Sequence, residues 1–145
     1  MHRIFIPGNV PSLKNSKVAT SKGVFFSKTV RKYLQSLGIK NYSVSKRTVE
    51  GYKKRPNLLE VAIAPMRQQL AMSYPPHQIG FHFVRGSRHK FDLLNAAAII
   101  CDLLVAHQVL IDDDADNLIP YFFKFKMVSD FYSYNKEKPG VILEY

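Results

Sequence analysis

Alternation of apolar and polar residues predicts the strands of this chain. Residues 78–84 (QIGFHFV) alternate most clearly and indicate a strand in the core. Shorter runs rich in β-forming residues predict four more strands, at residues 2–6, 24–26, 118–128 and 141–145. Strands at both ends of the chain and in its middle indicate that a β-sheet organises the fold.

Apolar residues at helical spacing predict three helices. Ser27 is the expected N-cap of a helix that runs to Leu37, and Gly38 is its expected stop. Residues 58–72 carry an amphipathic pattern that Pro65 interrupts. Residues 92–107 are apolar on nearly every side, which predicts a helix buried in the core.

Two segments lack a clear period. Residues 11–23 are polar and turn-prone, which predicts a mobile loop. Residues 39–57 are basic with interleaved tyrosines, which is typical of a phosphate-binding surface and equally of a solvated connector. The order of elements predicts an α+β fold in a single domain over residues 1–145, with helices packed on a single mixed β-sheet.

Charge is distributed very unevenly. The chain has a formal net charge of +10, and residues 1–57 hold 13 Lys or Arg but a single acid, Glu50. Residues 92–117 hold six of the 11 acids and no Lys or Arg. The excess of cations indicates a polyanionic partner, most commonly nucleic acid, although a generally basic soluble protein would have the same balance.

Composition excludes several classes of protein. A single cysteine, Cys101, rules out an intrachain disulfide framework and a zinc site built on several cysteines, and its apolar surroundings predict a buried, inert thiol. No apolar run approaches the length of a membrane span, and the first residues lack the apolar core of a signal peptide. We therefore expect a cytoplasmic protein without membrane contact.

The acids offer the clearest chemistry. Asp92 precedes the buried helix and is a natural N-cap. Residues 112–116 begin like a calcium-binding EF-hand loop, but Asn117 and Phe123 stand where that loop needs Gly and Glu, so a solvated acidic turn is the stronger alternative. Because a helix of about 15 residues is ~22 Å long, Asp92 and Asp113 approach each other only if residues 108–111 double back along it.

Three short runs in this region resemble the core motif of the RusA-like Holliday junction resolvases. They are H-K-F-D-L-L-N at residues 89–95, I-C-D-L-L at residues 100–104 and L-I-D-D-D at residues 110–114. The opening strand, followed by a loop with Pro11, Ser12 and Asn15, is also similar. The resemblance implies a homodimeric, Mg²⁺-dependent endodeoxyribonuclease that nicks branched DNA symmetrically during recombination and repair.

The resemblance also implies roles for particular residues. It assigns catalysis to Asp92, Asp113 and Asp112, with metal ligands among Asp92, Asp113, Asp114 and Asn95, and it places a further aspartate of the motif at Asp102. Hard carboxylate donors without His or Cys select Mg²⁺, with Mn²⁺ as an alternative. The cations expected to hold DNA phosphates are Lys14, Lys17, Lys22, Arg31, Lys32, Arg88 and Lys90.

Two departures from the motif leave another function open. The family's second aspartate is Leu94 here, and its helix lysine is Ala98. The chain could therefore be a catalytically impaired relative that binds branched DNA without cutting it. A basic RNA-binding module is a third possibility, which requires exposed aromatic side chains on a sheet face, whereas Phe81, Phe83 and residues 121–123 have the pattern of core strands.

Overall fold

A computed structural model describes residues 1–12, 17–21, 23–43 and 46–145, and of residues 17–20 and 23–25 only the backbone. The strands are β1 (Arg3–Pro7), β2 (Lys17–Thr20), β3 (Gly23–Phe26), β4 (Ile39–Ser43), β5 (Thr48–Gly51), β6 (His77–Arg85), β7 (Leu118–Phe122), β8 (Tyr132–Tyr134) and β9 (Gly140–Glu144). The helices are α1 (Lys28–Ser36), α2 (Leu58–Leu70) and α3 (Leu93–Ala106). The α+β class is thus confirmed.

The largest sheet is mixed and centred on β6. Its path runs β1-β9-β6-β7, and β8 also pairs with β6, beyond β7 along the same edge. The β1–β9 and β9–β6 pairs are antiparallel, whereas β7 and β8 run parallel to β6. Helix α3 makes the connection from β6 to its parallel neighbour β7, as a parallel pair requires.

The expectation of one sheet is wrong in detail, because two hairpins stand apart from the mixed sheet. Strands β2 and β3 pair only with each other, and so do β4 and β5, within the described residues. Part of the predicted loop at residues 11–23 is therefore strand β2, while residues 13–16 and 22 lie outside the described residues. The segment at residues 39–57, predicted to be a connector or a phosphate-binding surface, contains the β4–β5 hairpin.

The predicted strand at residues 118–128 is shorter than expected. It ends at Phe122, after which the amide of Phe123 still donates to the carbonyl of Phe81 and the chain leaves the sheet. Lys126 has a φ of 57°, in the left-handed region, within a turn in which the amide of Val128 donates to the carbonyl of Phe125. Strand β8 then takes up the pairing with the far half of β6, in the same direction as β7. Apolar residues in this irregular segment explain why its sequence resembles a strand.

The helices begin and end close to the predicted residues. Ser27 and Asn57 cap α1 and α2 through side-chain oxygens that accept from Val30 and Glu60 amides. Gly38 follows α1 with a φ of 83°, and a Cβ there would stand 2.1 Å from the carbonyl oxygen of Pro56, so no other residue fits. Helix α2 continues through Pro65 and ends at Leu70.

One apolar core joins these elements. Its fully buried side chains include Phe81 and Phe83 of β6, Ile6 of β1, Leu143 of β9 and Leu104 of α3. Phe81 and Phe83 are thus core residues, as predicted, whereas residues 121–123 are only partly buried. No helix among the described residues is long and apolar enough to cross a membrane.

Candidate functional site

The start of α3 is fixed by Asp92. Its Oδ1 accepts a hydrogen bond of 3.0 Å from the amide of Asn95, which satisfies one of the free N–H groups at the helix entrance. The side chain of Asp92 is exposed. The role of N-cap predicted for this residue is therefore confirmed, and the second carboxylate oxygen stands at the protein surface.

One stripe of α3 faces solvent while the rest of the helix is buried. Ala96, Ala97 and the residues from Ile99 to Cys101 and from Leu103 to Ala106 are buried. Leu94 is 70% exposed, Ala98 is exposed, and Asn95 and Asp102 are partly exposed. Residues 94, 98 and 102 are spaced by four, so they follow one another along a single face of the helix.

This stripe coincides with the resolvase-like positions. The two departures, Leu94 and Ala98, and the two matches, Asn95 and Asp102, lie on it, and Asp92 stands at its beginning. Leu93 is partly exposed as well. The residues that the resemblance selects are thus among those of α3 that solvent reaches.

The far end of α3 turns the chain sharply. His107 is the C-cap, and Gln108 adopts a φ of 59°. The amide of Gln108 donates to the carbonyl of Val105, and the amide of Val109 donates to that of Leu104. This pair of bonds is the Schellman motif, here built on glutamine in a left-handed conformation that glycine usually supplies. The chain consequently doubles back, as convergence of the acids requires.

The acidic run after this turn is exposed and largely bonded to itself. Asp112 Oδ1 accepts from the amide of Asp113 at 2.9 Å. Asp114 Oδ1 accepts from the amide of Asp116 at 3.1 Å and from Asn117 Nδ2 at 2.6 Å. The latter bonds shape an Asx turn, the local structure that short acidic side chains favour. The prediction of an exposed acidic turn is confirmed for this segment.

The charge of Asp113 acts on the Cys101 thiol of α3. Burial raises the pKa of this thiol to about 12, and the negative charges of Asp113 and Asp102 contribute to the rise. Cys101 is nine residues from Asp92, or ~14 Å along the helix. The two aspartates therefore act on the second half of α3, whereas Asp92 stands at its beginning.

The structure does not bring together the donors that the sequence predicts for a metal site. Among the described residues, no three His, Cys, Asp or Glu side chains are grouped so that they could hold a metal ion. The donors fit Mg²⁺ in kind, because they are exposed carboxylates. Asp114, however, already uses Oδ1 in its Asx turn, and the position where the resemblance expects another carboxylate holds Leu94.

The predicted phosphate-binding cations lie in three places. Arg88 and Lys90 precede α3 and line a cleft at the end of β6. Arg31 and Lys32 are exposed on α1, and Arg31 shares a second cleft with Tyr42. Lys17 belongs to β2, whose side chains are not described, and Lys14 and Lys22 lie outside the described residues.

Tyr42 connects the α1 side with the acidic stripe. Burial raises the pKa of its phenol, and the charge of Asp102 adds to the effect. Tyr42 and Arg31 line the same cleft. The β4–β5 hairpin, which sequence patterns did not reveal, thus contributes a tyrosine to the cleft that holds one of the predicted cations.

Two buried histidines have structural partners. The ring of His82 lies between the carbonyl of Phe123 and the hydroxyl of Ser133, at 2.9 and 3.0 Å from its two nitrogens. His107 Nδ1 donates to the carbonyl of Leu103 at 2.8 Å, which leaves Nε2 to accept from Asn57 at 3.2 Å. Burial lowers the pKa of both rings, so neutral imidazole is the form that fits.

Sequence reasoning missed Arg85, the last residue of β6. It is only 7% exposed and lines the same cleft as Arg88 and Lys90. An arginine at the end of an apolar strand is the only signal in the sequence, and such a residue is more often a surface cation.

Comparison with known proteins found no matching family model, no matching curated protein and no matching solved structure.

Proposed function

We propose that the protein is a metal-dependent endodeoxyribonuclease that acts on branched DNA as a homodimer, as its resemblance to RusA-like resolvases implies. The observation that supports this best is the exposed stripe of α3. Most of the helix is buried, its exposed face carries Asn95 and Asp102 after the cap Asp92, and the charge of Asp113 acts on Cys101 of the same helix. A cleft with Arg88 and Lys90 lies directly before the helix in the chain, and Arg31 lines a second cleft, so both offer cations to a phosphate backbone.

In this proposal Asp92 and Asp113 would hold Mg²⁺ or Mn²⁺ once dimerisation or DNA binding brings them together, because the described residues of one chain group no three such donors. Bound there, the ion would supply an activated water and stabilise negative charge on the scissile phosphate. The protein's own contribution is to position the DNA: Arg88 and Lys90 hold phosphates at the helix entrance, and Arg31 holds them at the α1 side. A two-fold symmetric pair of such sites would suit a four-way junction, whose arms are themselves arranged symmetrically.

The test is nicking of a synthetic four-way junction with Mg²⁺ or Mn²⁺. Asp92→Asn and Asp113→Asn should each lower the rate at least about 100-fold, because each removes a ligand from an ion that contributes several kcal/mol. Junction binding should stay unchanged or strengthen, since negative charge facing phosphates is removed. Asp116→Asn is the matched control from the same exposed run and should cut normally. Cutting by both ligand variants at the wild-type rate would refute the site.

A second function is favoured by Leu94 and Ala98. These apolar residues occupy the exposed stripe where the resemblance expects a carboxylate and a lysine, and the described residues include no group of three acids placed to hold a metal ion. The chain would then be a branched-DNA-binding protein that has lost catalysis. Junction binding without nicking under either metal would establish this function in place of the first.

The exposure of Leu94 allows a direct test between the nuclease and the branched-DNA-binding protein that has lost catalysis. Because 70% of the residue is open to solvent, Leu94→Asp should fold without loss of core packing. It would add a carboxylate two residues after Asp92, where the resolvase motif has its second aspartate, and should create or raise Mg²⁺-dependent nicking by about tenfold or more. Leu94→Asn is the control that removes the apolar side chain without adding charge. An aspartate variant indistinguishable from this control would show that the stripe does not hold the metal.

A further inference from the structure

Arg85 is a buried cation that lacks a compensating acid. Its Nη1 donates to the carbonyl of Val10, and its guanidinium carbon lies 4.3 Å from the centre of the Phe91 ring. Its Nε has no hydrogen-bond partner among the described residues. No ion pair joins Arg85 to any carboxylate in the described part of the chain, and the seven remaining residues include no Asp or Glu.

A guanidinium in this state is costly. Taking an ionised group out of water is unfavourable unless it is paired, and an unsatisfied buried N–H adds to the cost. Burial lowers the pKa of Arg85, in keeping with an environment that disfavours its charge. Arginine nevertheless stays protonated in proteins, so the charge persists and an anion in the cleft would offset it.

The cleft beside Arg85 suits such an anion. It has a volume of about 390 Å³ and is lined by Arg85, residues 87–91 and residues 132–134. Arg88 and Lys90 add two more cations, and none of the lining residues is acidic. Arg88 stacks on the ring of Tyr134 with 4.2 Å between the guanidinium carbon and the ring centre, which holds it in place.

We propose that this cleft is a phosphate-binding site in which Arg85 is the buried anchor and Arg88 and Lys90 are the outer donors. Three cations with several N–H donors around a small cleft match the charge and the oxygen geometry of phosphate better than those of a single carboxylate. The hydroxyl of Ser87 and the tyrosines of β8 line the same space. The site extends the proposed function, in which Arg88 and Lys90 hold DNA phosphates, but phosphate binding requires neither a metal nor cleavage and can be tested apart from nicking.

The phosphate could belong to a nucleic-acid backbone or be a free phosphate, and binding to the whole chain distinguishes them. Calorimetric titrations would use inorganic phosphate and, separately, the dinucleotide dTpdT, at constant ionic strength in chloride. We expect saturable binding of at least one of them. Binding of dTpdT alone assigns the site to backbone phosphodiesters, whereas binding of inorganic phosphate alone assigns it to free phosphate or a monoester. Binding of neither overturns the proposal.

Variants locate the site. Arg88→Gln and Lys90→Gln change exposed side chains and should each weaken binding about tenfold, the effect of losing a charge-assisted hydrogen bond. Arg85→Gln should abolish it, with circular dichroism to check folding, and if that variant does not fold the two exposed ones decide. Lys53→Gln, an exposed cation of the segment after β5, is the matched control and should bind normally. Equal binding by all folded variants would refute the site, whatever the outcome of the nicking assay.

Discussion

The two ends of α3 differ in how their charged groups are satisfied. At the C-terminal end, Arg67 donates from Nε and Nη2 to the carbonyl of His107, at 3.0 and 2.7 Å, and forms a two-point contact with Glu60. At the N-terminal end, Asp92 caps the helix, but the neighbouring Arg85 has no anionic partner among the described residues. The charged groups at the C-terminal end are paired within the chain, whereas at the N-terminal end the charge of Arg85 is left for a ligand to balance.

This difference separates structural charges from candidate functional ones. A charge whose donors or oxygens are used by the chain needs no further explanation, and Arg67 and Asp114 belong to this group. A buried charge with unused donors carries a cost that selection would remove unless binding offsets it. By this criterion the basic cleft points more strongly to a ligand than the acidic turn, although the cluster of acids is the more conspicuous feature of the sequence.

Removing Arg67 should produce the largest loss of stability. Arg67→Met keeps much of the aliphatic stem but leaves the His107 carbonyl and the Glu60 carboxylate without their donors. We expect the free energy of unfolding in urea to fall by about 2 kcal/mol, the usual cost of losing charge-assisted hydrogen bonds. Arg31→Met on the exposed face of α1 is the control and should stay within about 0.5 kcal/mol of wild type. Equal effects of the two changes would mean that the C-terminal end is not held by Arg67.

Sequence reasoning predicted the helices better than the sheet. The caps Ser27 and Asp92 and the stop Gly38 are local signals, because each acts on residues a few positions away. The β4–β5 hairpin was not predicted because its strand residues are mostly exposed and polar, so the pairing leaves no apolar alternation to detect. Strand β8 is three residues long and partly exposed, and only its pairing with β6 defines it.

The candidate site was predictable only in part, for a related reason. Asp92 could be placed at the entrance of α3 because capping is local. The return of Asp113 depends on Gln108 adopting a left-handed backbone, a conformation for which glutamine gives no sequence signal. The burial of Arg85 depends on Val10 and on β8, which are distant in sequence. Both features arise from tertiary structure, so no local pattern reveals them.

The C-terminal end should also respond to pH through His107. Burial lowers the pKa of His107 in the folded state, so the unfolded chain takes up a proton more readily. Stability is therefore fully present above the ordinary histidine pKa of about 6.5 and is lost as the pH falls below it. One such histidine contributes at most about 1.4 kcal/mol per pH unit.

Urea unfolding at pH 7.5 and pH 5.5 measures this loss. His107→Asn can still offer an N–H to the carbonyl of Leu103, but it lacks the imidazole ring. It should therefore be less stable at pH 7.5 and should show a smaller pH dependence of the free energy of unfolding. His82 has a pKa lowered by burial as well and will retain its own share of the slope. An unchanged slope in the His107 variant would show that the helix end does not titrate in this range.

The smallest expected effect is the difference in the free energy of unfolding between variants at Asp92 and at Asp113. Asp92→Ala removes the N-cap of α3 and should lower the free energy of unfolding by about 1 kcal/mol, the typical worth of such a cap. Asp113 belongs to the exposed run after the same helix, and its carboxylate accepts no hydrogen bond among the described residues. Asp113→Ala should therefore change the free energy of unfolding by less than about 0.5 kcal/mol. Thermal denaturation at pH 7.5 without divalent cations distinguishes the two. If Asp113→Ala instead raised stability by a similar amount, repulsion among the exposed acids would be the stronger force, and a cation shared with Asp102 would become the expected means of relieving it.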